Sequence, residues 1–292
     1  MLNNLKTLIA TRLAGLLAAR LPENVWDYLL SRERGGGRIL KKAARQFTFD
    51  RALLSELFVR GEGIEIGAFN TPMVVPEGVR VRYVDRASVG ELVTHAPGVE
   101  SVVAPDIVDD AQTLATVADS SQDFVIAGHV IEHMEDPIGA VGNWLRVLKP
   151  GGILFLAIPD KRFTFDIDRE VTSLSHLLRD HEEGPEWSRR AHYEEAFRVI
   201  FGVSDEQEVS RLAEEHRKKV GHTHFHVWAQ ADMFELLAAL RKQVGLEFEI
   251  AASAAAGNEV VFVLRKGDAG SDRSGGEMSL RKQREEFAAL RS

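Results

Sequence analysis

The chain has 292 residues, 45% of them hydrophobic and 27% charged, a composition typical of a globular protein with one large domain and additions. Its formal net charge of −8 argues against a dedicated nucleic-acid binder, because such proteins usually carry a basic surface. The sequence contains no cysteine, which excludes disulfides, thiolate metal sites and a cysteine nucleophile, and which fits a cytoplasmic protein. Its apolar stretches are far shorter than the roughly 20 residues that a membrane-spanning helix needs.

Residues 1–60 are predicted to be a helical N-terminal segment with a basic character. They carry eleven Lys or Arg but only five Asp or Glu. Apolar residues recur at helical spacing near the start of this segment: Leu2, Leu5, Ile9, Leu13 and Leu16. We favour a stripe that packs on the protein's own core or on a second subunit, which leaves a homodimer open. The alternative is a basic amphipathic helix in peripheral contact with an anionic membrane.

From Gly63 onwards, short apolar runs alternate with helical patterns, which predicts an α/β fold with a doubly wound, mostly parallel sheet. The predicted parallel strands are Ile64–Ile66, Val81–Val84, Glu100–Val103, Phe124–Ala127 and Ile153–Ile158. The predicted helices of this region are Pro137–Leu148 and Gln230–Lys242. Two further strands, Leu246–Ala251 and Glu259–Leu264, are predicted to form a C-terminal antiparallel hairpin that closes the sheet.

The break in this rhythm after Pro159 predicts the domain organisation. Residues 61–160 and 227–266 form the predicted core, and residues 161–226 a helical insertion after the fifth strand. That insertion is too long for a simple connection, so we expect a cap that binds a ligand. Residues 267–292 begin with several glycines and serines and are predicted to be a flexible tail.

The first strand and its surroundings predict a nucleoside-binding edge. Ligands of doubly wound sheets lie beyond the carboxyl ends of the strands, where Glu65 and Gly67 fall. A glycine there lets a ligand approach the backbone closely. Asp85 follows at the end of the second strand, eighteen residues after Gly67, and is well placed to accept both hydroxyls of a ribose.

Four segments in order strengthen this interpretation: Gly63-Ile-Glu65-Ile-Gly67, Asp106-Ile107, His129-Val-Ile-Glu132-His133-Met-Glu-Asp136-Pro137 and Leu148-Lys-Pro-Gly-Gly152. The set resembles the class I S-adenosylmethionine-dependent methyltransferases, specifically the group called methyltransferase type 11. The resemblance is close over residues 61–160 and loose over residues 230–264. It implies a Rossmann-like fold, S-adenosyl-L-methionine as cofactor and methyl transfer as the activity.

The resemblance also implies roles for single residues. Glu65 and Gly67 match the motif that contacts the methionine part of the cofactor, and Asp85 matches the acid that binds the ribose. Asp106 and Ile107 match the pair beside the adenine ring. His129 matches the residue that follows the fourth strand and faces the methyl group.

The chain departs from the family's pattern after the first strand. The family usually has several glycines where this chain has Ala68, Phe69 and Asn70. The first helix is also missing or very short, because few residues separate Gly67 from the second strand and two of them are prolines. Some cofactor contacts are therefore expected from Asn70 or from the N-terminal segment.

Two groups of histidines need separate interpretation. The run from His129 to His133 has the H-x-x-E-H spacing of some zinc peptidases, but its place at a strand end argues against that class. His222, His224 and His226 alternate, so an extended chain would turn them to one side. That arrangement suits a metal, a polar substrate or a solvated helix entry, and we favour the substrate site.

The predicted reaction is O-methylation of a small molecule, sugar or glycan with a histidine as base. His129 is the first candidate for the base, His224 and His226 are the second, and no metal ligand is assigned. Trp187, Tyr193 and Trp228 are expected to shape the acceptor pocket. Two alternatives remain open, namely C-methylation of a quinone-like lipid at a membrane surface and a non-catalytic module that binds the cofactor.

Overall fold

The computed structural model describes residues 51–95, 102–219 and 223–267. The N-terminal apolar stripe, His222 and nearly all of the predicted tail lie outside the described residues. Among the helices of the described ranges, none combines the length and the apolar character that crossing a bilayer requires.

One seven-stranded sheet forms the centre of the described fold. Its strands are β1 (Glu62–Ile66), β2 (Arg80–Asp85), β3 (Ile107–Val108), β4 (Gln122–Gly128), β5 (Leu148–Pro159), β6 (Phe248–Ala256) and β7 (Glu259–Lys266). The order across the sheet is β3-β2-β1-β4-β5-β7-β6. The first five strands are parallel, whereas β7 runs antiparallel to both β5 and β6. The predicted fold class is confirmed, including the antiparallel hairpin at the end of the chain.

Helices cover the sheet and fill the insertion. The α-helices are α1 (Arg51–Phe58), α2 (Val89–His95), α3 (Pro137–Val147), α4 (Leu174–Glu183), α5 (Glu186–Glu195), α6 (Glu206–Lys219) and α7 (Gln230–Lys242). Short 3₁₀ turns occupy Ile131–His133 and Lys161–Phe163, and a π-helical turn follows α5 at Ala196–Ile200. α3 begins with Asp136 as N-cap and Pro137 in its first turn, at the residue where its start was predicted.

The central strand β4 is buried on both faces, so its residues alternate between two apolar layers. Val125 and Ala127 belong to the layer that contains Trp144 of α3. Phe124 and Ile126 belong to the opposite layer, which contains Leu54 of α1. The two layers hold β4 at the centre of the fold, and its parallel pairing with β1 places the carboxyl ends of both strands side by side.

The third strand lies later in the chain than predicted. Residues 102 and 103 are not in a strand, and β3 pairs with β2 through Val84 opposite Ile107. Pro105 has no N–H to donate to β2, which explains why the ladder begins only after it. The connection from 67 to 79 contains no helix, in agreement with its short length and its prolines.

Candidate functional site

The candidate site lies at the carboxyl ends of β1, β2 and β4. The sheet order reverses between β1 and β4, and this reversal creates the crevice in which ligands of doubly wound folds bind. Gly67 directly follows β1 with a φ of +63°, and its N–H donates to the carbonyl of Val84 at 2.9 Å. A Cβ added to Gly67 would lie 3.1 Å from Val130 Cγ2. A side chain at position 67 would therefore be strained by its backbone conformation and would crowd the start of the crevice.

Glu65 is buried at the end of β1, and its carboxylate accepts the N–H of Met73 at 2.9 and 3.1 Å. Burial raises its pKa to about 7, against the opposing effects of the Met73 N–H and of Arg51. The carboxylate holds the helix-free connection between β1 and β2. Asn70 is exposed within that same connection, and it follows Phe69, which has a left-handed φ of +48°.

Asp85 ends β2 and accepts the N–H of Arg86 at 2.8 Å. Partial burial raises its pKa despite that hydrogen bond and the charge of Arg86. Asp106 precedes β3, and its carboxylate accepts the N–H of Tyr83 at 2.8 Å. Asp106 therefore ties β3 to β2 directly before Ile107, the residue that pairs with the strand.

His129 follows β4 and occupies a left-handed backbone conformation with a φ of +55°. Its N–H donates to the carbonyl of Ala157, and its Nε2 lies 2.8 Å from Oε2 of Glu259. Arg51 of α1 binds the same carboxylate, with Nε donating to Oε1 at 2.6 Å. Burial opposes the charge of Glu259, but hydrogen bonds from His129 and Arg51 prevail and hold its pKa below the ordinary value.

Sequence reasoning did not identify Glu259 or Arg51 as site residues. Glu259 is separated from His129 by 130 positions and begins β7 after a glycine-containing turn. Because β7 is antiparallel to β5, its first residue lies opposite Pro159, at the carboxyl edge of the parallel strands. The sequence signal that could have identified Glu259 is its position as a charged residue at the start of the predicted antiparallel strand.

His224 belongs to the extended segment 223–227, which precedes α7. Its Nδ1 lies 2.7 Å from Oδ2 of Asp166, and its ring lies 4.8 Å from that of Phe165. The fully buried Arg169 donates to Oδ1 of Asp166 and to the carbonyl of His224, both at 2.9 Å. Arg169 thus fixes the Asp166–His224 pair, which the sequence did not predict.

The second half of the H-x-x-E-H run meets His224. Glu132 is fully buried, and neither oxygen of its carboxyl group has a hydrogen-bond partner. Burial and the negative charges of Asp166 and Glu259 raise the pKa of Glu132 to about 8, against the opposing effects of its own backbone N–H and of Arg51. Glu132, His133 and His224 each offer a ligand atom within 4.8 Å of the others. The peptidase interpretation fails on geometry, because the run forms a 3₁₀ turn of three residues rather than a helix.

His226 has neighbours different from those of His224. It has no exposed surface, its Nε2 lies 3.3 Å from the carbonyl oxygen of Glu135, and burial lowers its pKa to about 3. A histidine enclosed in this way is not placed to take a proton from an acceptor, which removes His226 from the candidate bases. Tyr193 and Trp228 are also buried, in apolar clusters.

Residues 82–156, from β2 to β5, match the family model of a methyltransferase domain. This match supports a methyltransferase of the S-adenosylmethionine-dependent class. The enzyme class and the cofactor that the sequence resemblance implied are confirmed at this level. No curated protein matches the chain.

Several solved structures are similar to this chain at low identity. A methyltransferase of Thermotoga maritima, described as a possible histamine N-methyltransferase, is 19% identical over 78% of this chain and 97% of its own, with a TM-score of 0.39. A methyltransferase of Methanosarcina mazei is 19% identical over 74% and 96%, with a TM-score of 0.38. A third from Aquifex aeolicus is 14% identical over 73% and 86%, with a TM-score of 0.34.

Proposed function

We propose that the protein transfers a methyl group to a hydroxyl of a small molecule, sugar or glycan, with His129 as the general base. The observation that carries this proposal is the chain of contacts from Arg51 to Glu259 to His129 at the carboxyl edge of the sheet. A base held by a carboxylate is the arrangement that activates a weak oxygen nucleophile.

The residues at the strand ends fit the cofactor. Gly67 leaves the backbone bare at the switch point, and the partly buried carboxylate of Asp85 can accept hydrogen bonds from a ribose diol. Glu65, Asn70, Asp106 and Ile107 stay proposed contacts on the basis of the family resemblance. When bound, S-adenosylmethionine supplies an electrophilic methyl group on its sulfonium.

Glu259 binds Nε2 of His129, so Nδ1 is the nitrogen that remains to accept a proton. With Nε2–H donated to Glu259, the lone pair of the neutral ring is on Nδ1. That nitrogen would take the proton of the acceptor hydroxyl, and Glu259 would stabilise the imidazolium that forms. The bond of Arg51 to the same carboxylate holds Glu259 ionised and in place.

The acceptor side is proposed to lie beside the Asp166–His224 pair. Phe163 and Phe165 are both 61% exposed directly after β5, and Phe165 contacts the ring of His224. Exposed aromatic faces next to a polar pair suit a sugar ring, whose apolar face stacks while its hydroxyls form hydrogen bonds. His224 is the second candidate for the base.

The test uses methyl-labelled S-adenosylmethionine with a panel of mono- and disaccharides, and calorimetry with S-adenosylhomocysteine. We expect His129→Ala to lose about 10²–10⁴-fold in kcat and to keep its affinity for the cofactor product. Glu259→Gln should lower kcat and alter the pH profile, because it weakens the orientation of the imidazole. His181→Ala, an exposed histidine of α4, is the matched control. Normal turnover in His129→Ala would move the base to His224.

A further inference from the structure

Four metal-ligand side chains meet in the insertion, although the sequence shows no pattern that joins them. His176 and Asp180 lie on one face of α4, because they are four residues apart. His192 comes from α5, and His226 comes from the extended segment before α7. Each residue offers one ligand atom, and these four atoms all lie within 4.8 Å of one another. We refer to this set as the His₃Asp cluster.

The distances within the His₃Asp cluster match those between atoms that share one ion. Nε2 of His176 lies 3.0 Å from Nε2 of His192 and 3.1 Å from Oδ2 of Asp180. His226 contributes one ring nitrogen within 4.8 Å of these ligand atoms. Bonds of about 2.0–2.1 Å to a tetrahedral zinc ion place neighbouring ligand atoms about 3.3 Å apart. The cluster is therefore already close to the spacing that a tetrahedral ion requires.

Two polar atoms of the His₃Asp cluster are buried without hydrogen-bond partners. Oδ2 of Asp180 accepts no hydrogen bond, although Nε2 of His176 lies 3.1 Å from it, and the side chain has no exposed surface. Nδ1 of His226 also has none, and this side chain is equally enclosed. A carboxylate oxygen without a partner inside a protein is costly, because the group has lost its water. A cation between these residues would remove that cost.

Other residues orient the ligands as the surroundings of a metal site do. The hydroxyl of Ser188 donates to Oδ1 of Asp180 at 2.7 Å, which leaves Oδ2 directed to the cluster. Nε2 of His226 lies 3.3 Å from the carbonyl oxygen of Glu135, a bond typical of histidines that ligate through their other nitrogen. The ring of Trp187 lies 4.7 Å from that of His176, the most exposed member of the cluster, with the two planes inclined at 48°.

We propose that His176, Asp180, His192 and His226 bind one zinc ion in a tetrahedral site that joins α4 and α5 to the segment before α7. Three nitrogens and one carboxylate oxygen form a donor set that zinc accepts. Four protein ligands complete the coordination, so the site is structural and leaves no open position for chemistry. The proposal differs from the sequence-based expectation that assigned no metal ligand.

The zinc site would also affect the proposed methyltransferase reaction, because it would hold residues of the proposed acceptor site in place. This effect does not depend on which residue is the base. His226 lies two residues after His224, and the amides of Phe225 and His226 both donate to the carbonyl of Glu132. An ion on His226 would fix this extended segment between the insertion and the end of β4. The zinc would therefore act through position, holding His224 and Phe165 in the proposed acceptor site.

The experiment measures metal in the full-length protein, loaded with zinc and passed through a desalting column. We expect His192→Gln and Asp180→Asn each to contain one equivalent less zinc per chain than the wild type. The Co²⁺-loaded wild type should show the intense visible absorption of tetrahedral cobalt. Ser188→Ala should keep the ligands but weaken zinc affinity by about 10–100-fold. His181→Gln, next to the cluster on α4, is the matched control and should bind zinc as the wild type does.

Two results would overturn the proposal. The first is equal zinc content in wild type, His192→Gln and Asp180→Asn, which would leave the cluster as a metal-free pair of hydrogen-bonded imidazoles. The second is a weak, octahedral cobalt spectrum in the wild type. His224→Gln separates this site from the group formed by Glu132, His133 and His224, because the His₃Asp equivalent should survive that change. The wild-type and His224→Gln measurements together decide the question even if a cluster variant fails to fold.

Discussion

The buried carboxyl group of Glu132 offers a sharp test of how this site is built. Both of its oxygens lack hydrogen-bond partners, and the pKa is raised from 4.5 to about 8. In the unfolded chain this group loses its proton near pH 4.5, whereas in the folded protein it keeps the proton up to about pH 8. Between these two values the folded state binds more protons, so the free energy of unfolding falls as the pH rises.

The size of the effect follows from the same pKa. One pH unit corresponds to about 1.4 kcal/mol, so Glu132 removes at most about 5 kcal/mol of the unfolding free energy across this range. Water that enters on ionisation reduces this penalty, and we expect about 2–3 kcal/mol. Glu132→Gln removes the titration but keeps the shape of the side chain. The variant should therefore gain about 2–3 kcal/mol relative to the wild type between pH 5 and pH 8.

The assay is urea unfolding of both proteins at pH 5 and pH 8, with equal metal content. Glu182→Gln, an exposed carboxylate of α4, serves as control and should change stability equally at both values. A constant difference between wild type and Glu132→Gln across the range would refute the reasoning. Such a result would mean that Glu132 is ionised in the fold, as it would be with a cation held between it, His133 and His224.

Two further predictions concern the edge of the sheet. Asp85→Ala should weaken S-adenosylhomocysteine binding by about 1.5–3 kcal/mol in calorimetry, which is the scale of hydrogen bonds to a charged group. The exposed Glu77→Ala is the control and should not weaken binding. Unchanged binding in Asp85→Ala would contradict the ribose role. Gly63→Ala should lower the free energy of unfolding by about 1–3 kcal/mol or more, since its Cβ would lie 2.2 Å from the carbonyl oxygen of Phe124. Gly90→Ala in α2 is the control, because a Cβ there meets nothing within 4 Å, and it should stabilise the helix by about 1 kcal/mol. Equal effects of the two substitutions on the free energy of unfolding would refute the packing argument.

Local patterns in the sequence were sufficient to predict the fold class and the edge of the sheet where the candidate site lies. The alternation of short apolar runs with helical segments predicted the parallel sheet, and the bounds of α7 agree with the prediction. Gly67, Asp85 and His129 each follow or end a strand, so strand positions alone placed them at one edge. The displaced β3 shows the limit of this reasoning, because apolar content at Glu100–Val103 did not reveal where hydrogen bonding to β2 begins.

The polar partners of the site were decided only by the tertiary structure. Glu259 reaches His129 because an antiparallel strand returns to the carboxyl edge, and the sequence separation of 130 residues gives no hint of this contact. His192 joins His176 because α4 and α5 pack together, and His226 turns towards them rather than sharing the neighbours of His224. A sequence determines the period and burial of its own elements. Which polar side chains meet depends on how those elements pack, because each contact joins residues that no local pattern connects.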